Sequence, residues 1–210
     1  IGGISNITQT VKWDELDKKK NFIKACDIAP GNCLIDEWVR KKSKKKYDNG
    51  GTLASIGKTD ELILNKALEN FNIGPPYKDS LDIKDFDISF AKGLSLEDGT
   101  STLADFTSSQ ISKALKYFKD PEKNTIFLVC GGGRKNKYLM ESISRSFDII
   151  KDSKKINFYP IEEYGINGDF VESQAFGYLA IRSILNLPIS FPNTTGCKKP
   201  ISGGEIVQNF

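Results

Sequence analysis

The chain has 210 residues, of which 39% are hydrophobic, and its formal net charge is +3. This length and composition can bury a substantial core, whereas the charge is too small to indicate a polyanion, so we expect no nucleic acid as partner. The longest uncharged apolar runs are far shorter than the roughly 20 residues that span a bilayer, so we expect no membrane as partner either.

Two residue types limit the chemistry. The sequence contains no histidine, which excludes a Ser-His-Asp triad or an imidazole metal site within this chain. A general base must therefore be Asp or Glu, or less favourably a perturbed Lys, Tyr or Cys. The four cysteines lack the close spacing of a metal site and are typical of reduced, mostly buried thiols in a cytoplasmic protein. They are Cys26, Cys33, Cys130 and Cys197.

The first half of the chain shows short strands followed by amphipathic helices. The helix at 33–41 has its apolar residues on one face and its charged residues on the other. Gly74-Pro75-Pro76 cannot continue a helix and introduces a polar excursion. In chain order, the predicted elements are strands at 4–11 and 22–26, helices at 33–41 and 59–70, and the excursion at about 72–100.

The second half alternates strands and helices. The apolar run at 125–129 is typical of a strand covered on both faces, and the segment at 170–185 is apolar nearly all round, which predicts a central helix. The other predicted elements are a helix through Ile111, Ala114, Leu115 and Phe118, a helix through Leu139 and Ile143, and a buried strand at 157–160. This order predicts an α/β fold with helices packed against a mixed sheet.

Two glycine-rich turns flank strand-like segments. They read IGGISN at 1–6 and VCGGGRKN at 129–136. The second leads into a helical pattern, an arrangement in which backbone N–H groups face a phosphate or nucleotide. With an acidic strand end between them, the turns suggest half of a nucleotide-dependent phosphotransferase. Because the chain begins without Met, on the edge of a turn with no strand ahead of it, we expect a fragment of a longer protein.

Asp27 is the first candidate for chemistry. It follows the predicted strand at 22–26, and open α/β sheets place ligands at the carboxyl ends of their strands. The residues Pro30, Gly31 and Asn32 would hold its carboxylate away from the sheet. Alternatively, Asp27 caps the helix that starts near Asn32. The spacing alone leaves both interpretations open.

Glu172 and Asn136 also have two interpretations each. Asp169 and Glu172 have the spacing of an acidic capping box before an apolar helix, which favours capping over catalysis. Asn136 lies in the first turn of a helix, where it either bonds a purine or ribose or caps that helix.

Several motifs recur together, in this order, in one family. They are IGGISNIT at 1–8, DIAPGN at 27–32 with Asp36 and Trp38, GTSTL at 99–103 with FT at 106–107, CGGG at 130–133 with Asn136, and Glu172 followed by AF at 175–176, LA at 179–180, TTG at 194–196 and GG at 203–204. Through these motifs, essentially the whole chain resembles the C-terminal domain of the anhydro-N-acetylmuramic acid kinase family.

The resemblance implies a ribonuclease H-like α/β domain of the actin-like and sugar-kinase superfamily, with a mixed β-sheet flanked by helices. Residues 1–210 would be the second half of a two-domain kinase whose N-terminal domain is absent from this chain. The two domains close around a sugar, ATP and Mg²⁺, so the fragment alone is expected to be inactive.

The implied reaction opens 1,6-anhydro-N-acetylmuramic acid with water and phosphorylates O6. The products are N-acetylmuramic acid 6-phosphate and ADP, formed during peptidoglycan recycling. The full-length protein is expected to form a homodimer.

The resemblance also implies residue roles by matching motifs. Asp27 takes the position of the general base, which fits because a carboxylate near the anomeric carbon can deprotonate the attacking water. Glu172 and Asn32 match the sugar site, and no metal ligand is assigned. The residues expected at the nucleotide are Gly2, Gly3, Ser5 and Asn6 in the second phosphate turn and Gly131, Gly132, Gly133 and Asn136 on the adenosine side.

Two segments depart from the family pattern. Ile28 and Ala29 replace a small polar residue and a glycine, and Ala29 can stand there only if its φ stays negative. Between Lys78 and Ile83 the expected lysine is displaced by one position, and the expected arginine is the isoleucine. These departures leave two alternatives: an actin-like-fold kinase for another anhydro or amino sugar, and a non-catalytic nucleotide-binding domain.

Overall fold

The computed structural model describes residues 1–10, 23–70, 73–77, 80–119, 125–148, 157–205 and 207. The chain divides into two compact units. The first comprises Ile1–Asn6 and Asp27–Gly168, and the second comprises Ile7–Cys26 and Asp169–Phe210. Within the described ranges, no helix is both long enough and apolar enough to cross a membrane.

The described residues form a mixed α/β structure, as the sequence predicts in outline. β1 and β2 form one two-stranded sheet. β3 and β4 form a second, parallel sheet, in which Ile126 lies opposite Asn157 and Val129 opposite Pro160. The elements are β1 (Ile4–Thr10), β2 (Ile23–Pro30), α1 (Cys33–Lys42), α2 (Thr52–Ile56), α3 (Glu61–Asn70), α4 (Leu96–Phe118), β3 (Ile126–Val129), α5 (Lys137–Asp148), β4 (Asn157–Pro160), α6 (Val171–Ile184) and α7 (Pro192–Thr195).

Helix α4 lies at the centre of the first unit and packs against α1, α2, α3 and α5. The Ser95 hydroxyl accepts a hydrogen bond from the N–H of Asp98 at 3.0 Å and so caps the helix. Gly99 lies so close to Trp38 that a Cβ atom would collide with the indole ring. The indole N–H in turn donates to the Leu96 carbonyl at 3.0 Å. The start of α4 is therefore fixed by packing against α1.

Helices predicted from amphipathic periodicity are confirmed, with small shifts at their ends. α1 extends one residue past the prediction of 33–41. The helix predicted at 59–70 begins only at Glu61, because the Asp60 side chain accepts from the N–H of Ile63 at 3.0 Å and acts as its cap. The five residues of α2 were not predicted, since so short a helix shows no period.

The strand predicted at 22–26 is longer than expected. β2 continues to Pro30, so Asp27 lies inside the strand and the prediction that it ends the strand was wrong. The reason is a partner far away in the sequence. The Ser5 hydroxyl donates to the Pro30 carbonyl at 3.0 Å, which keeps the chain extended beyond Asp27.

Part of the segment predicted as a polar excursion belongs to the core. Phe86, Ile88 and Ala91 are buried among the core residues, and α4 already begins at Leu96. These apolar residues alternate with charged and small ones, which hides them in a composition-based prediction. Lys78 and Asp79 lie outside the described residues.

The strands predicted to be covered on both faces are only partly covered. Ile126 and Leu128 of β3 are 51% and 41% exposed, whereas Val129 is buried. In β4, Phe158 and Tyr159 are half-buried. The prediction was wrong because an apolar run indicates that a strand favours burial on both faces. It does not indicate whether other residues of the same chain cover those faces.

Helix α6 occurs where it was predicted, but its surroundings differ. The segment is helical over Val171–Ile184 and has no buried residue, and Phe176 and Tyr178 are 64% and 59% exposed. The prediction of a central helix was therefore wrong. As for β3, an apolar sequence indicates that a helix favours a covered position without fixing what covers it.

Candidate functional site

The two glycine turns, distant in the sequence, meet at Ile1. The Ile1 nitrogen donates to the Cys130 carbonyl at 2.7 Å, and the N–H of Gly133 donates to the Ile1 carbonyl at 2.9 Å. A Cβ atom on Gly131 would lie 2.6 Å from that carbonyl oxygen, and one on Gly133 would collide with the Ile1 side chain. The glycines are thus required by the close approach of the two backbones.

The first glycine turn also interlocks with the turn after β2. The N–H of Gly31 donates to the Gly3 carbonyl at 2.8 Å, and the N–H of Asn32 donates to the Gly2 carbonyl at 2.8 Å. A Cβ atom on Gly31 would collide with the Gly2 carbonyl. The segment that precedes Asn6 is therefore held by main-chain bonds to the segment that follows Asp27.

Two of the glycines face open space. A Cβ atom on Gly3 or on Gly132 would meet no heavy atom within 4 Å. A ligand phosphate can therefore approach the main chain closely at both turns, which fits the expected ATP site. Among the described residues there is no group of three or more Asp, Glu, Cys or His side chains that could hold a metal ion.

Asp27 is held by two donors. The Asn6 side-chain amide donates to its Oδ1 at 2.9 Å, and the N–H of Leu81 donates to its Oδ2 at 2.9 Å. The N-terminus of α1 has no side-chain cap, so the alternative that Asp27 caps this helix was wrong. Asp27 is half-buried, which leaves part of its carboxylate accessible.

Two residues expected at the nucleotide point elsewhere. The Ser5 side chain is 1% exposed and bonded to Pro30. Asn136 is 5% exposed, and its Oδ1 accepts from the N–H of Leu139 at 3.0 Å. The capping interpretation of Asn136 is thus confirmed, while the nucleotide contacts of both residues stay predictions.

The two residues expected at the sugar lie in different units. Asn32 is half-buried directly before α1, beside the first glycine turn. Glu172 is exposed in the first turn of α6, in the second unit. The N-cap of α6 is Phe170, so Asp169 does not take the N-cap position that the predicted capping box requires. The sugar contacts of Asn32 and Glu172 stay predictions.

Arg134 supports the triple-glycine turn. Its NH1 donates to the Gly131 carbonyl at 2.9 Å, and its Nε donates to Glu162 at 2.8 Å. The Glu162 carboxylate also accepts from the N–H of Gly168 at 3.2 Å. The hydrogen bond from Arg134 holds the pKa of Glu162 below its ordinary value. The arginine is therefore engaged in fixing the turn.

Sequence reasoning missed two features of this unit. One is the contact of Leu81 with Asp27, which no local pattern could indicate because 54 positions separate the two residues. The other is Asp105 on α4, whose carboxylate accepts hydrogen bonds from the hydroxyls of Thr59, Tyr138 and Ser142. The signal in the sequence is the position of Asp105 between Ala104 and Phe106, both buried, since a carboxylate only 18% exposed needs partners.

Burial of Cys33 disfavours the alternative that a cysteine near Asp27 is the general base. Desolvation at the start of α1 raises the pKa of the Cys33 thiol. A thiol with a raised pKa is a poor base and a poor nucleophile near neutral pH. Asp27 therefore remains the candidate base at this position.

The comparisons with known proteins decide the family. The model of the family described as "AnmK: Anhydro-N-acetylmuramic acid kinase" matches residues 1–209. The chain belongs to this family.

Relatives with the same name match the whole chain. An anhydro-N-acetylmuramic acid kinase of Pelagibacter ubique (strain HTCC1062) is 50% identical over 100% of this chain and 54% of its own length. Those of Zymomonas mobilis and Rhizorhabdus wittichii are each 39% identical, over 98% and 97% of this chain and 52% of their own lengths. The chain thus spans about half the length of the curated relatives that it matches.

The departure from the family pattern after Asp27 now has a structural explanation. Ile28 and Ala29 are 3% and 0% exposed and lie inside β2. Ala29 is not among the residues with positive φ, so this position does not require a glycine. The two substitutions are therefore compatible with the local backbone.

Proposed function

We propose that the protein is an ATP-dependent kinase that opens 1,6-anhydro-N-acetylmuramic acid with water and phosphorylates its O6. The observation that carries the proposal is the carboxylate of Asp27, held by two donors in the same unit as two glycine turns. Family membership supplies the substrate, since the relatives are named for it. With no histidine in the chain, a carboxylate is the natural base.

Asp27 serves the hydrolytic half of the reaction. It accepts a proton from water as the water oxygen attacks the anomeric carbon and the bond from that carbon to O6 breaks. This is the role of the base in an inverting glycosidase. A carboxylate has about four lone-pair positions, of which the bonds from Asn6 and Leu81 use two, so acceptor sites remain for water.

The phosphate end of the reaction needs positioning and charge neutralisation more than acid–base chemistry. O6, leaving with its electron pair, attacks the γ-phosphorus, and the bond from that phosphorus to the β-phosphate oxygen breaks to release ADP. The main chain at Gly3 and Gly132 is open enough for phosphate oxygens to approach. Mg²⁺ bound with the nucleotide would neutralise charge on the transferred group.

The family also supplies the wider setting of the proposal. We infer a ribonuclease H-like domain that forms the second half of a two-domain kinase, with a homodimeric full-length protein. Because ATP is the phosphate donor, and because the thiols of Cys33, Cys130 and Cys197 are not oxidised to disulfides, as in a reducing compartment, we place the reaction in the cytoplasm, in peptidoglycan recycling.

The test uses the full-length protein that contains this chain, with ATP, Mg²⁺ and 1,6-anhydro-N-acetylmuramic acid in ¹⁸O-labelled water. We expect one ADP for each 6-phosphate, with the label on the anomeric oxygen, and loss of turnover in Asp27→Asn. Label at the phosphate, or full activity of the variant, would contradict the role of Asp27. ATP binding without reaction of this sugar would direct the search to a panel of other anhydro and amino sugars.

A further inference from the structure

We infer that Asn6 and the main-chain N–H of Leu81 are positioning groups for the base Asp27, and that Asn6 acts through this carboxylate and not as a phosphate ligand. The inference rests on the proposed function for the role of Asp27 as a base. The two contacts with Asp27 are independent of that role. Asn6 donates to one carboxylate oxygen and Leu81 to the other, each at 2.9 Å.

The bond from Asn6 has only one chemically sensible orientation. An ionised carboxylate accepts hydrogen bonds and cannot donate them, so the nitrogen of the amide must face Asp27. Asn6 lies on β1 and Asp27 on the neighbouring strand β2, and the turn that precedes Asn6 is joined by main-chain bonds to the turn that follows Asp27. The donor is therefore carried by regular structure, which fixes its direction.

Asn6 is a poor phosphate ligand while it holds this contact, because a phosphate at the same amide would stand beside the anionic carboxylate and be repelled by it. Its neighbour Ser5 points inward to Pro30, and the open main chain of this turn lies at Gly3. The glycine main chain can therefore meet phosphates, while the Asn6 side chain orients the base. The glycine turn at 1–6 would thus provide both the main chain that meets a phosphate and the side chain that orients Asp27.

The second donor comes from a well-supported loop. The Leu81 side chain packs against the hydrophobic core. Directly after it, the N–H of Asp82 donates to the Asp85 carboxylate at 2.7 Å, and the N–H of Lys84 donates to the Asp82 carboxylate at 3.0 Å. Phe86, which follows, is buried. Core packing and this reciprocal cap together set the direction of the Leu81 N–H.

The consequence is a carboxylate whose plane is set from two sides. Each oxygen has one protein donor, so rotation of the side chain would break both bonds. The remaining lone pairs then point in fixed directions, which is what a base needs to accept a proton from a water at a defined place. Loss of either donor should reduce the rate of the chemical step and leave nucleotide binding intact.

The test is a mutant cycle in the full-length protein, measured with ATP and 1,6-anhydro-N-acetylmuramic acid. We expect Asn6→Ala to lower kcat about 10- to 100-fold, as misplacement of a reacting group does, with KM for ATP unchanged. Asn6→Asp keeps the size but replaces the donor with a second carboxylate, so it should lower kcat further. In an Asp27→Asn background, Asn6→Ala should have no further effect on the residual kcat, and the Kd for ATP, measured by direct binding, should be the same with and without Asn6→Ala. Asn49→Ala, at an exposed asparagine, is the matched control.

Three results would overturn the inference. Weaker ATP binding by Asn6→Ala in both backgrounds, measured directly as a higher Kd, would make Asn6 a phosphate ligand. Independent, multiplicative effects of Asn6 and Asp27 would remove the link between them. Activity of Asn6→Asp above that of Asn6→Ala would indicate that the residue only fills space. Thermal unfolding of every variant shows whether a loss of activity reflects loss of fold.

A measurement without turnover separates this inference from the proposed function. The amide hydrogen exchange of Leu81, followed by NMR, should become faster in Asp27→Ala than in the parent protein, because its acceptor is removed. An unchanged rate would overturn the contact even in an active enzyme. A parent protein that leaves the sugar untouched contradicts the proposed function, whereas the exchange result still decides whether Leu81 binds Asp27.

Discussion

Replacing Gly131 by alanine tests the close approach of the two glycine turns. Gly131 has φ 82° and ψ 173°, a region that costs other residues about 1–3 kcal/mol. The new Cβ atom would stand 2.6 Å from the Ile1 carbonyl oxygen, well inside the ~3.5 Å of ordinary packing. Relief of such overpacking costs a further ~1–3 kcal/mol. We therefore expect Gly131→Ala to lower the free energy of unfolding by roughly 2–6 kcal/mol.

The matched control is the next residue. A Cβ atom on Gly132 meets nothing within 4 Å, and its φ is not positive. Gly132→Ala should therefore change the stability by no more than about 1 kcal/mol, and in the stabilising direction if the unfolded chain loses freedom.

The assay is urea unfolding followed by the fluorescence of Trp38, which is buried in the core of the same unit, in a Trp13→Phe background. The midpoint for Gly131→Ala should fall with the slope m unchanged. For a chain of this size, each kcal/mol corresponds to roughly 2–4 °C in Tm, so thermal unfolding should shift by at least about 4 °C. Equal stability of the two variants would refute the reasoning, because it would mean that the turn relaxes at no cost.

Two further predictions concern polar contacts of the first unit. Asp105→Ala should cost ~1–3 kcal/mol, measured by urea unfolding, because it removes the acceptor of the buried Ser142 hydroxyl and of the half-buried hydroxyls of Thr59 and Tyr138. The double variant with Ser142→Ala should lose less than the sum of the single losses; additive losses would contradict the shared bond. Because the Arg134 hydrogen bond lowers the folded-state pKa of Glu162, its contribution is present above the unfolded-state pKa and is lost as the pH falls through the folded value. Glu162→Gln should flatten the acid side of the curve of Tm against pH, and an unchanged curve would contradict the link.

The sequence predicted best those elements whose signal lies within one turn of helix. α1 was predicted nearly to the residue, because its buried residues Leu34, Ile35, Trp38 and Val39 repeat with the helical period. The glycine turns were also located correctly. That they meet at Ile1 could not be predicted, since a turn indicates an unusual backbone and not which other segment comes close to it.

The wrong predictions for β2, β3 and α6 have a different cause, because each depends on contacts between segments that are distant in the sequence. β2 runs past Asp27 because Ser5 bonds to Pro30, 25 positions further along the chain. β3 and α6 are apolar but exposed, because composition reports the preferred surroundings of a segment and not the chain that supplies them. In each case the structure depends on whether residues far apart in the sequence are in contact among the described residues. Patterns in a single sequence indicate only the preference of each segment for a secondary structure and for burial.

The position of Asp27 inside a strand changes how the candidate base is controlled. At a strand end, its orientation would depend on the following turn alone. Within β2, it depends on Asn6 from the adjacent strand and on Leu81 from a loop that belongs to the segment departing from the family pattern. The main-chain N–H of residue 81 is present whatever the side chains around it, so those departures leave the donor to Asp27 in place. Under the proposed function, contacts that this loop makes with the substrate can therefore vary without loss of a donor to the base.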